Sequence, residues 1–402
     1  MTDQALAEAF DLTAATPAFA EDPFPTYRAL LAHAPVKRFA DGSVAVSRYA
    51  DLVRIYRDTK TFSSDKQAEF GVKYGKNPLF EHHTTSLVFN DPPLHTRVRR
   101  IMVGALTPRA ISAMEPGLIR LVDDLLDGMA TDCDLIPDFA AAIPVEVIGN
   151  LFDIPHSERG PLRDWSLAIL GALEPVLSEE QHDIGNTAVR EFCDYLRDLI
   201  ARRAAAPGDP DTDVLTRLMR GDRGEHLTEV QLLHNCIFIL NAGHETTTNL
   251  IGNALDLFLD HPDERARLIA EPELIDRTVE EVLRHQSSNQ LGNRVTTTET
   301  EIGGLTLPPG TRVHLMMGAA NRDPDQFPDP DNFDIARTPN KHLAFAGGPH
   351  ICLGLTLARL EGKIAIERFL ARYPDYTRSS HAVRTGRMRF RGFSHLPVRL
   401  TS

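Results

Sequence analysis

Cysteine is scarce in this sequence, and no two cysteines lie close together. The 402 residues include four of them, Cys133, Cys193, Cys236 and Cys352. They show neither a CxxC pair nor the spacing of a zinc site. A disulfide framework is therefore not expected. Scattered single cysteines suit a protein that works in a reducing cytoplasm.

An excess of basic charge and long apolar runs are also lacking. Lys and Arg total 43 against 56 Asp and Glu, which gives a formal net charge of −13. An acidic surface of this kind repels the phosphates of nucleic acids. A membrane span needs roughly 20 apolar residues, but the most apolar stretch, at 236–240, is flanked by polar residues. The N-terminus does not resemble a signal peptide, so we predict a cytoplasmic protein that binds neither nucleic acid nor membrane.

Helical periodicity dominates the rest of the sequence. Apolar residues recur three and four positions apart at 118–129 and 189–200, as on the buried face of a helix. Thr228 and Gln231 can form a capping box at the start of an apolar helix that runs to about residue 260. A helix of that length, on the order of 45 Å, can cross the core of a domain.

Strand signals are fewer, so the predicted fold is mainly α with small β-sheets, an α+β arrangement. The segments predicted to be extended are 36–46, 294–302 and 312–317. Five prolines make 321–349 a long irregular segment, and such segments in compact proteins are usually functional. No linker is apparent, and we predict a single domain over residues 1–402, with residues 1–20 loosely ordered.

The strongest chemical signal is the sequence FAGGPHICLG at 345–354, which precedes an amphipathic helix predicted at 355–373. A thiolate that binds a metal needs a low pKa and hydrogen-bond donors near its sulfur. Glycines let backbone N–H groups approach the sulfur, and the N-terminus of the next helix adds a positive dipole end. We therefore interpret Cys352 as a metal-bound thiolate, and Cys133 and Cys193 as small buried apolar residues.

This segment resembles the cysteine loop of the cytochrome P-450 superfamily, F-x-x-G-x-[HR]-x-C-x-G. The matching positions are Phe345, Gly348, His350, Cys352 and Gly354. Ala346 stands where many members have glycine. The chain is thereby identified as a haem-thiolate monooxygenase of the soluble bacterial type. The resemblance implies haem b (iron protoporphyrin IX) with Cys352 as the axial ligand of its iron, and a long central helix lying over the haem.

The long helix carries AGHETT at 242–247, which resembles the family's oxygen-activation motif [AG]-G-x-[DE]-T-[TS]. A glycine and a threonine hydroxyl can disturb the backbone hydrogen bonds of a helix and open a notch, where dioxygen could bind. The resemblance implies that Glu245 and Thr246 are catalytic, as the acid and the alcohol that deliver protons. Many members have Asp where this chain has Glu245.

Two further matches concern the haem propionates. The sequence DPPLHTRVR predicts a helix with Asp91 as its N-cap and Pro92 as its first residue. In the family this motif supplies two propionate contacts, which share one face of the helix. An arginine after the long helix and the histidine of the cysteine loop supply two more, and the planar fork of arginine suits a carboxylate. The predicted haem-binding residues are His95, Arg99, Arg294 and His350.

Glu281 and Arg284 fit the family's E-x-x-R motif. Side chains three positions apart on a helix can pair, and the motif resembles a buried ion pair that braces the cysteine loop. We interpret this pair as structural, not catalytic. The family's third member is an arginine of the proline-rich segment, for which Arg337 is the candidate, although Asn332 occupies the place where some members carry it.

The resemblance also implies a substrate pocket above the haem. By chain position, its predicted apolar lining is Leu87, Val88, Leu170, Leu173, Leu240, Ala242 and Phe393, and its predicted polar groups are Gln290 and Asn293. We therefore expect a mainly apolar small or medium-sized substrate with one or two polar groups.

The implied reaction inserts one atom of dioxygen into an organic molecule and reduces the other to water. The thiolate favours cleavage of the O–O bond. No flavin or ferredoxin extension is visible, so electrons are expected from a separate ferredoxin and ferredoxin reductase. Three arginines, Arg97, Arg100 and Arg109, could form a basic docking patch for the ferredoxin.

Two alternatives remain open. One is a haem-thiolate enzyme driven by peroxide, which the intact Glu245-Thr246 pair disfavours. The other is a non-catalytic haem protein that senses a gas or binds a ligand. No regulatory or DNA-binding domain is visible in the sequence to support it.

Overall fold

Helices form most of the structure, and short strands make four small sheets. The computed structural model describes residues 2–210 and 212–401. The helices are α1 (Asp3–Ala9), α2 (Pro17–Glu21), α3 (Phe24–His33), α4 (Tyr49–Arg57), α5 (Gln67–Tyr74), α6 (Pro78–Thr85), α7 (Leu94–Ala105), α8 (Pro108–Asp127), α9 (Ala142–Leu151), α10 (Gly160–Gly171), α11 (Glu179–Ala205), α12 (Val214–Arg220), α13 (Glu229–Asp260), α14 (Pro262–Ala270), α15 (Ile275–His285), α16 (Met317–Ala320) and α17 (Leu355–Arg372). The strands are β1 (Val36–Arg38), β2 (Val44–Val46), β3 (Phe62–Ser63), β4 (Asp132–Asp134), β5 (Leu291–Thr296), β6 (Thr300–Ile302), β7 (Leu305–Leu307), β8 (Arg312–Met316), β9 (Thr377–Arg378), β10 (Val383–Arg384), β11 (Phe393–His395) and β12 (Pro397–Arg399). This confirms the predicted mainly α fold with small sheets.

The central element is α13, the long helix that the sequence predicts. The Thr228 hydroxyl accepts the Gln231 backbone N–H at 3.2 Å, and the Gln231 side chain accepts the Thr228 N–H at 3.2 Å, so the predicted capping box is present. Most residues of α13 are buried, and the helix packs against α9, α10 and α17. A helix that is apolar on nearly all sides belongs in the interior of a protein.

The largest sheet brings distant segments together in the order β1-β2-β8-β5-β3. Strands β1 and β2 form the predicted hairpin, with Val36 opposite Val46. Strand β8 runs parallel to β2 and antiparallel to β5, with Arg294 opposite Val313. The sheet therefore places Asn293 and Arg294 of β5 beside residues of β8 that lie close to them only in the folded chain.

The N-terminal segment is packed, which corrects the expectation that residues 1–20 are loosely ordered. Helices α1 and α2 are capped by the side chains of Thr2 and Thr16. Leu12 and Phe19 are buried in one cluster with Tyr27 of α3. Capped helices with apolar residues at the right spacing gain a fixed position because they bury those residues against the domain.

The proline-rich segment before the cysteine loop is irregular, as predicted. Residues 321–347 form neither helix nor strand in the described structure. A fully buried ion pair holds them, with the Arg284 guanidinium donating to both carboxylate oxygens of Glu281 at 2.7 and 2.8 Å. Arg284 also donates to the backbone oxygens of Asn321, Pro330 and Asn332 at 2.8–3.0 Å. The pair therefore clamps the segment by hydrogen bonds to its backbone.

Arg337 completes this set. Its Nε donates to Glu281 Oε1 at 3.2 Å, and its NH2 group donates to the Asn332 backbone oxygen at 3.0 Å. Asn332 contributes its backbone oxygen to both arginines. The Glu281 carboxylate also accepts the Asp334 N–H and the Asn340 amide, each at 3.0 Å. One buried carboxylate thus connects α15 to several turns of the irregular segment.

Within the described ranges, no helix combines the length and the apolar character that crossing a membrane requires.

We predict that Glu281→Gln strongly destabilises the protein. The substitution leaves the guanidinium of Arg284 buried without a countercharge, which typically costs about 3–5 kcal/mol. Urea denaturation of the purified protein measures the change. Glu271→Gln is the matched control, because Glu271 pairs with Arg267 at the surface and such pairs contribute about 0–1 kcal/mol. Similar small losses in both variants would contradict the proposed importance of the buried pair.

Candidate active site

The cysteine loop is a tight turn that presents Cys352 just before α17. The Cys352 N–H donates to the Phe345 oxygen at 3.0 Å, and the Ile351 N–H donates to the Gly348 oxygen at 3.1 Å. Gly348 has φ +64°, and a Cβ there would lie 2.0 Å from the backbone oxygen of Tyr56. Only glycine fits this close approach of the loop to α4.

Ala346, the departure from the family's pattern, lies in the left-handed region with φ +58°. A residue with a Cβ is disfavoured there by roughly 1–2 kcal/mol, whereas glycine is not. The preference of many members for glycine at this position therefore has a conformational cause. This chain adopts the same turn at an energetic cost.

Cys352 has the surroundings of a ligand, not of a core residue. It is exposed, whereas Cys193 and Cys236 are buried and Cys133 is half-buried. Desolvation of the sulfur by the surrounding protein raises the pKa of the Cys352 thiol. The Gly354 N–H and the charges of Arg99 and Arg359 act in the opposite direction. The arrangement supplies the hydrogen-bond donor and the positive charges that stabilise a thiolate bound to a metal.

The four predicted haem-binding residues come from three separate parts of the chain. His95 and Arg99 lie on α7, Arg294 lies on β5, and His350 lies in the cysteine loop. The rings of His95 and His350 are 3.9 Å apart between centroids. The Arg99 guanidinium donates to the backbone oxygen of Ile351 at 2.8 Å. Folding therefore assembles these side chains next to Cys352.

Several polar atoms of this group are buried without a partner. Among the described residues, both ring nitrogens of His95, Nε2 of His350 and Nε of Arg294 make no hydrogen bond. A buried donor left unsatisfied costs about 1–3 kcal/mol. Burial lowers the pKa of His95 to about 4 and, with the charge of Arg294, lowers that of His350 to about 2. Carboxylates placed among these groups would satisfy the donors, so the residues fit the propionates of a haem.

The N-terminus of α7 differs from the prediction. Asp91 does not cap this helix with its side chain, and α7 begins at Leu94, not at Pro92. The Asp91 carboxylate instead accepts hydrogen bonds from the Ser63 hydroxyl and from the Ser64 N–H. A tertiary contact with the segment after β3 thus replaces the expected local cap, while His95 and Arg99 still share one face of α7.

The middle of α13 borders an opening. Ala242 is exposed and Gly243 is half-buried, although the residues on either side, Asn241 and His244, are buried. The helix stays continuous here. The half-buried Thr246 donates its hydroxyl to the Ala242 oxygen at 2.9 Å, which is the back-bonding expected of a threonine in a helix. The sequence motif therefore lies where α13 faces open space.

Glu245 is buried beside this opening, with 4% of its surface exposed. Its Oε1 accepts a hydrogen bond from Arg387 at 2.6 Å, and its Oε2 has no partner among the described residues. Burial raises the pKa of Glu245 to about 7, and the charge of Arg387 opposes the rise. An acid with a pKa near the working pH can hold and release a proton.

Sequence reasoning missed Arg387. It lies 142 residues after Glu245, and no motif marks it. Its NH2 group also donates to the Leu167 backbone oxygen of α10 at 3.0 Å. An arginine among several in the segment between β10 and β11 has no local pattern that reveals its partner, and only the tertiary structure identifies it.

The predicted pocket residues other than Gln290 separate into four groups. Leu173 and Asn293 line a cavity of about 810 Å³, Ala242 borders the opening at α13, and Leu170 and Val88 are half-buried. Those buried in hydrophobic clusters of the core are Leu87, Leu240 and Phe393. The Phe393 ring also packs on the Arg384 guanidinium, 4.1 Å from the ring centroid.

Gln290 is not available as a polar group of the pocket, which corrects that prediction. The residue is 1% exposed. Its Oε1 accepts the Tyr27 hydroxyl at 3.0 Å, and its Nε2 donates to the Ser287 oxygen at 2.6 Å. The amide connects α3 to the segment before β5, and both its oxygen and its nitrogen take part in that structural contact.

The predicted basic patch is partly compensated by acidic residues. Arg100 pairs with Asp222 at 2.8 Å and with Glu225 at 2.6 Å. Arg97 donates to the Gln231 side chain at 2.9 Å. Arg109 is exposed near the start of α8. The three arginines therefore do not form one uncompensated positive surface. The sequence did not indicate this, because the acidic partners of Arg100 lie far along the chain.

Comparisons with known proteins agree with this fold and this site. The family model described as Cytochrome P450 matches residues 165–375. Cytochrome P450 107B1 of Saccharopolyspora erythraea is 37% identical over 97% of this chain and 98% of that protein. The vitamin D(3) 25-hydroxylase of Pseudonocardia autotrophica is 35% identical over 97% of this chain and 96% of its own length. The crystal structure of CYP109E1 from Bacillus megaterium in complex with testosterone has a TM-score of 0.87 and 30% identity, covering 96% of this chain and all of that one.

The chain therefore belongs to the cytochrome P450 family. It is an oxidoreductase that incorporates oxygen, and membership of the family implies a haem-thiolate cofactor. The fold class and the family inferred from the sequence are both confirmed.

The raised pKa of Glu245 predicts a specific dependence of stability on pH. The folded protein retains the Glu245 proton up to about pH 7, whereas the unfolded chain releases it near pH 4.5. Glu245 therefore stabilises the folded protein at low pH. This contribution to the free energy of unfolding decreases as the pH rises from 4.5 to about 7. We expect the free energy of unfolding of the wild type, relative to Glu245→Gln, to fall over this range and then to become constant. Parallel urea titrations measure it, and a difference between the two proteins that does not vary with pH would contradict the raised pKa.

Proposed function

We propose that this cytochrome P450 inserts one atom of dioxygen into a mainly apolar small molecule, using haem b and electrons from a separate ferredoxin and ferredoxin reductase. One observation carries the proposal. The exposed Cys352 lies beside buried histidine and arginine nitrogens that lack partners, and this group of residues fits a cofactor with an iron and two carboxylates.

In this proposal the thiolate of Cys352 would hold the haem through its iron. His95, Arg99, Arg294 and His350 bind the haem carboxylates. Arg294 is supported in this role by its position over the Tyr56 ring, 5.1 Å from the centroid, and by the bond from its NH1 to the Asn293 oxygen at 2.7 Å. These contacts orient the guanidinium while its Nε is left for an acceptor.

Glu245 and Thr246 are the proposed proton-handling residues. When bound, the haem supplies the oxygen chemistry, and the protein supplies orientation and protons. The bond from Arg387 holds one oxygen of Glu245 and leaves the other to carry a proton. The bond to the Ala242 oxygen holds the Thr246 hydroxyl on the side of α13 that borders the opening. The pair thus places a titratable acid and an alcohol on consecutive residues beside the same space.

The proposed substrate class follows from the lining and from the relatives. Phe70, Phe89 and Leu173 supply apolar surface to the cavity of about 810 Å³, a size within the usual range of small-molecule sites. One relative is named as a vitamin D(3) 25-hydroxylase, and one similar structure holds testosterone. Both compounds are mainly apolar, which supports an apolar body for the substrate of this chain.

The proposed partner surface lies around the cysteine loop. Arg99 and Val103 are four residues apart and share a face of α7, and Arg99 contacts the backbone of Ile351. Val103 and Ile351 are 46% and 39% exposed. A small apolar patch beside positive charge suits an acidic redox protein. We place the protein in the cytoplasm, where free cysteines such as the four described here are typical.

The axial role of Cys352 predicts a spectroscopic result. The reduced carbon monoxide complex of the wild type should show the red-shifted Soret band of a thiolate ligand, and Cys352→Ser should lose it together with turnover. Cys133→Ser is the control, because Cys133 is half-buried in β4 and should keep the band. A folded, haem-loaded wild type without this band would refute the proposal.

The electron source and the role of Thr246 predict a pattern of turnover. A ferredoxin with its reductase should support product formation at a rate well above that obtained with hydrogen peroxide alone. Thr246→Ala should divert most reducing equivalents from product to peroxide. Thr248→Ala is the matched control, because Thr248 makes the same kind of bond, to the His244 oxygen at 3.0 Å, while buried. Faster turnover with peroxide would favour the peroxide-driven alternative, and ligand binding without turnover from either source would favour a sensor.

A further inference from the structure

We propose that the substrate carries a carboxylate and that Arg389, assisted by Lys73, binds it at the wall of the large cavity. The inference rests on the proposed function and names a feature of its substrate. It starts from two cations at this cavity that, among the described residues, have no carboxylate within ion-pair distance.

The cavity lies between α5, the segment that follows α10, and strands β5 and β8. Its apolar lining includes Phe70, Phe89 and Leu173, whereas Arg389 and Lys73 also line it. A site with a large apolar surface and a few charges in fixed positions selects an amphipathic ligand, since the charges determine its orientation.

Arg389 is held in place by backbone groups alone. Its Nε donates to the Leu173 oxygen at 3.3 Å, and its NH1 donates to the Leu291 oxygen at 2.7 Å. Within the described part of the chain, no carboxylate oxygen lies within 4.0 Å of its guanidinium nitrogens, although many other arginines have such a partner. A guanidinium has five N–H donors, so donors remain for a ligand.

Lys73 is in a similar position on α5. Its Nζ donates to the backbone oxygens of Ala172 and Glu174 at 3.0 and 2.7 Å. In residues 2–210 and 212–401, no carboxylate oxygen is within ion-pair distance of Nζ. Burial lowers the pKa of Lys73 to about 8, and the charge of Arg389 adds to this effect. The two cations therefore repel each other across the same region, and an anion between them would relieve the repulsion.

The acidic residues nearby are engaged except for one oxygen of Glu174, its Oε1, which makes no hydrogen bond among the described residues. Glu69 pairs with the buried Lys66 at 2.8 Å. The Glu174 Oε2 accepts the backbone N–H groups of Met388 and Arg389 at 3.1 and 3.2 Å. The carboxylates of Glu69 and Glu174 thus face three cations, Lys66, Lys73 and Arg389. One positive charge is left without compensation.

The remaining charged groups of the cavity do not remove this excess. Arg312 pairs with Asp41, and burial lowers the pKa of His314 to about 4, so that its ring is neutral at pH 7. Glu179 and Asp183 also line the cavity, but both are exposed on α11 and screened by solvent. A ligand with a single negative charge matches the inner wall.

The anion site is connected by the chain to the proposed catalytic residues. Arg389 follows by two residues Arg387, which pairs with Glu245. Asn293, another residue of the cavity wall, directly precedes Arg294. A ligand whose carboxylate binds Arg389 is therefore anchored on the same segment that supports the acid of α13, and its apolar part is left to reach the reacting centre.

The test compares two ligands on the haem-loaded protein, dodecanoate and 1-dodecanol. They have the same chain length, but one ends in a carboxylate and the other in a neutral hydroxyl. Calorimetric titration gives the dissociation constants, and the Soret shift reports approach to the haem. We expect the wild type to bind dodecanoate at least tenfold more tightly than dodecanol. Arg389→Gln should weaken dodecanoate binding by about 10- to 100-fold, as expected for a charge-assisted hydrogen bond, and should leave dodecanol within twofold.

Two further variants separate charge recognition from folding. Arg389→Lys keeps the charge and should retain a preference for the acid. Arg312→Gln is the matched control, because Arg312 lines the same cavity but has its own carboxylate partner, and should leave the preference unchanged. Equal affinity of the wild type for acid and alcohol would overturn the inference, and so would equal loss of both ligands in Arg389→Gln. A thiolate Soret band in the reduced carbon monoxide complex shows in each case that the thiolate-bound haem is present, so that the result concerns the anion site and not the haem site.

Discussion

The buried ion pair between Glu281 and Arg284 is the interaction on which the cysteine loop depends. Residues 321–347 lack helix and strand, so they have scattered turn hydrogen bonds in place of the regular backbone ladders of those elements. The pair supplies replacements, with Arg284 binding three backbone oxygens and Glu281 binding a backbone N–H, an arginine and an amide. A buried charge is tolerable only when it is paired and fully hydrogen-bonded, and here that requirement fixes the path of the chain leading to Cys352.

The polar groups around Cys352 illustrate the opposite situation. His95, His350 and Arg294 are brought together by three different elements, and several of their nitrogens are left without partners. Such an arrangement is unfavourable in isolation because each buried donor loses its hydrogen bond to water. The carboxylates of a haem bound among these residues would satisfy those donors, which is why we propose that the haem binds there.

The segment between β10 and β11 supplies arginines to two neighbouring parts of the site, the buried acid of α13 and the large cavity. Arg387 turns toward Glu245 on α13, and Arg389 turns toward the cavity beside α5. Glu174 holds the backbone between them. One short irregular stretch thus supports a buried acid and, in our proposal, also binds the carboxylate of a ligand. Arg387 and Arg389 differ because Arg387 pairs with a carboxylate of the protein, whereas Arg389 has none within ion-pair distance among the described residues.

The sequence by itself determined the family, the long helix with its capping box, the cysteine loop and the Glu281–Arg284 pair. The residues of each feature lie within a few positions of one another, so spacing reveals the long helix and its capping box, and the resemblance to the family's motifs identifies the cysteine loop and the ion pair. It also indicated His95, Arg99 and Arg294, but only through the family's motifs.

The tertiary structure alone decided the contacts between distant segments. It assigned Asp91 to Ser63 and Ser64 instead of to its own helix, Gln290 to Tyr27, and Arg100 to Asp222 and Glu225. It also paired Glu245 with Arg387 and left Arg389 facing a cavity. A hydrogen bond or a charge pair between residues far apart in the chain has no periodicity to reveal it, because its partner is chosen by packing.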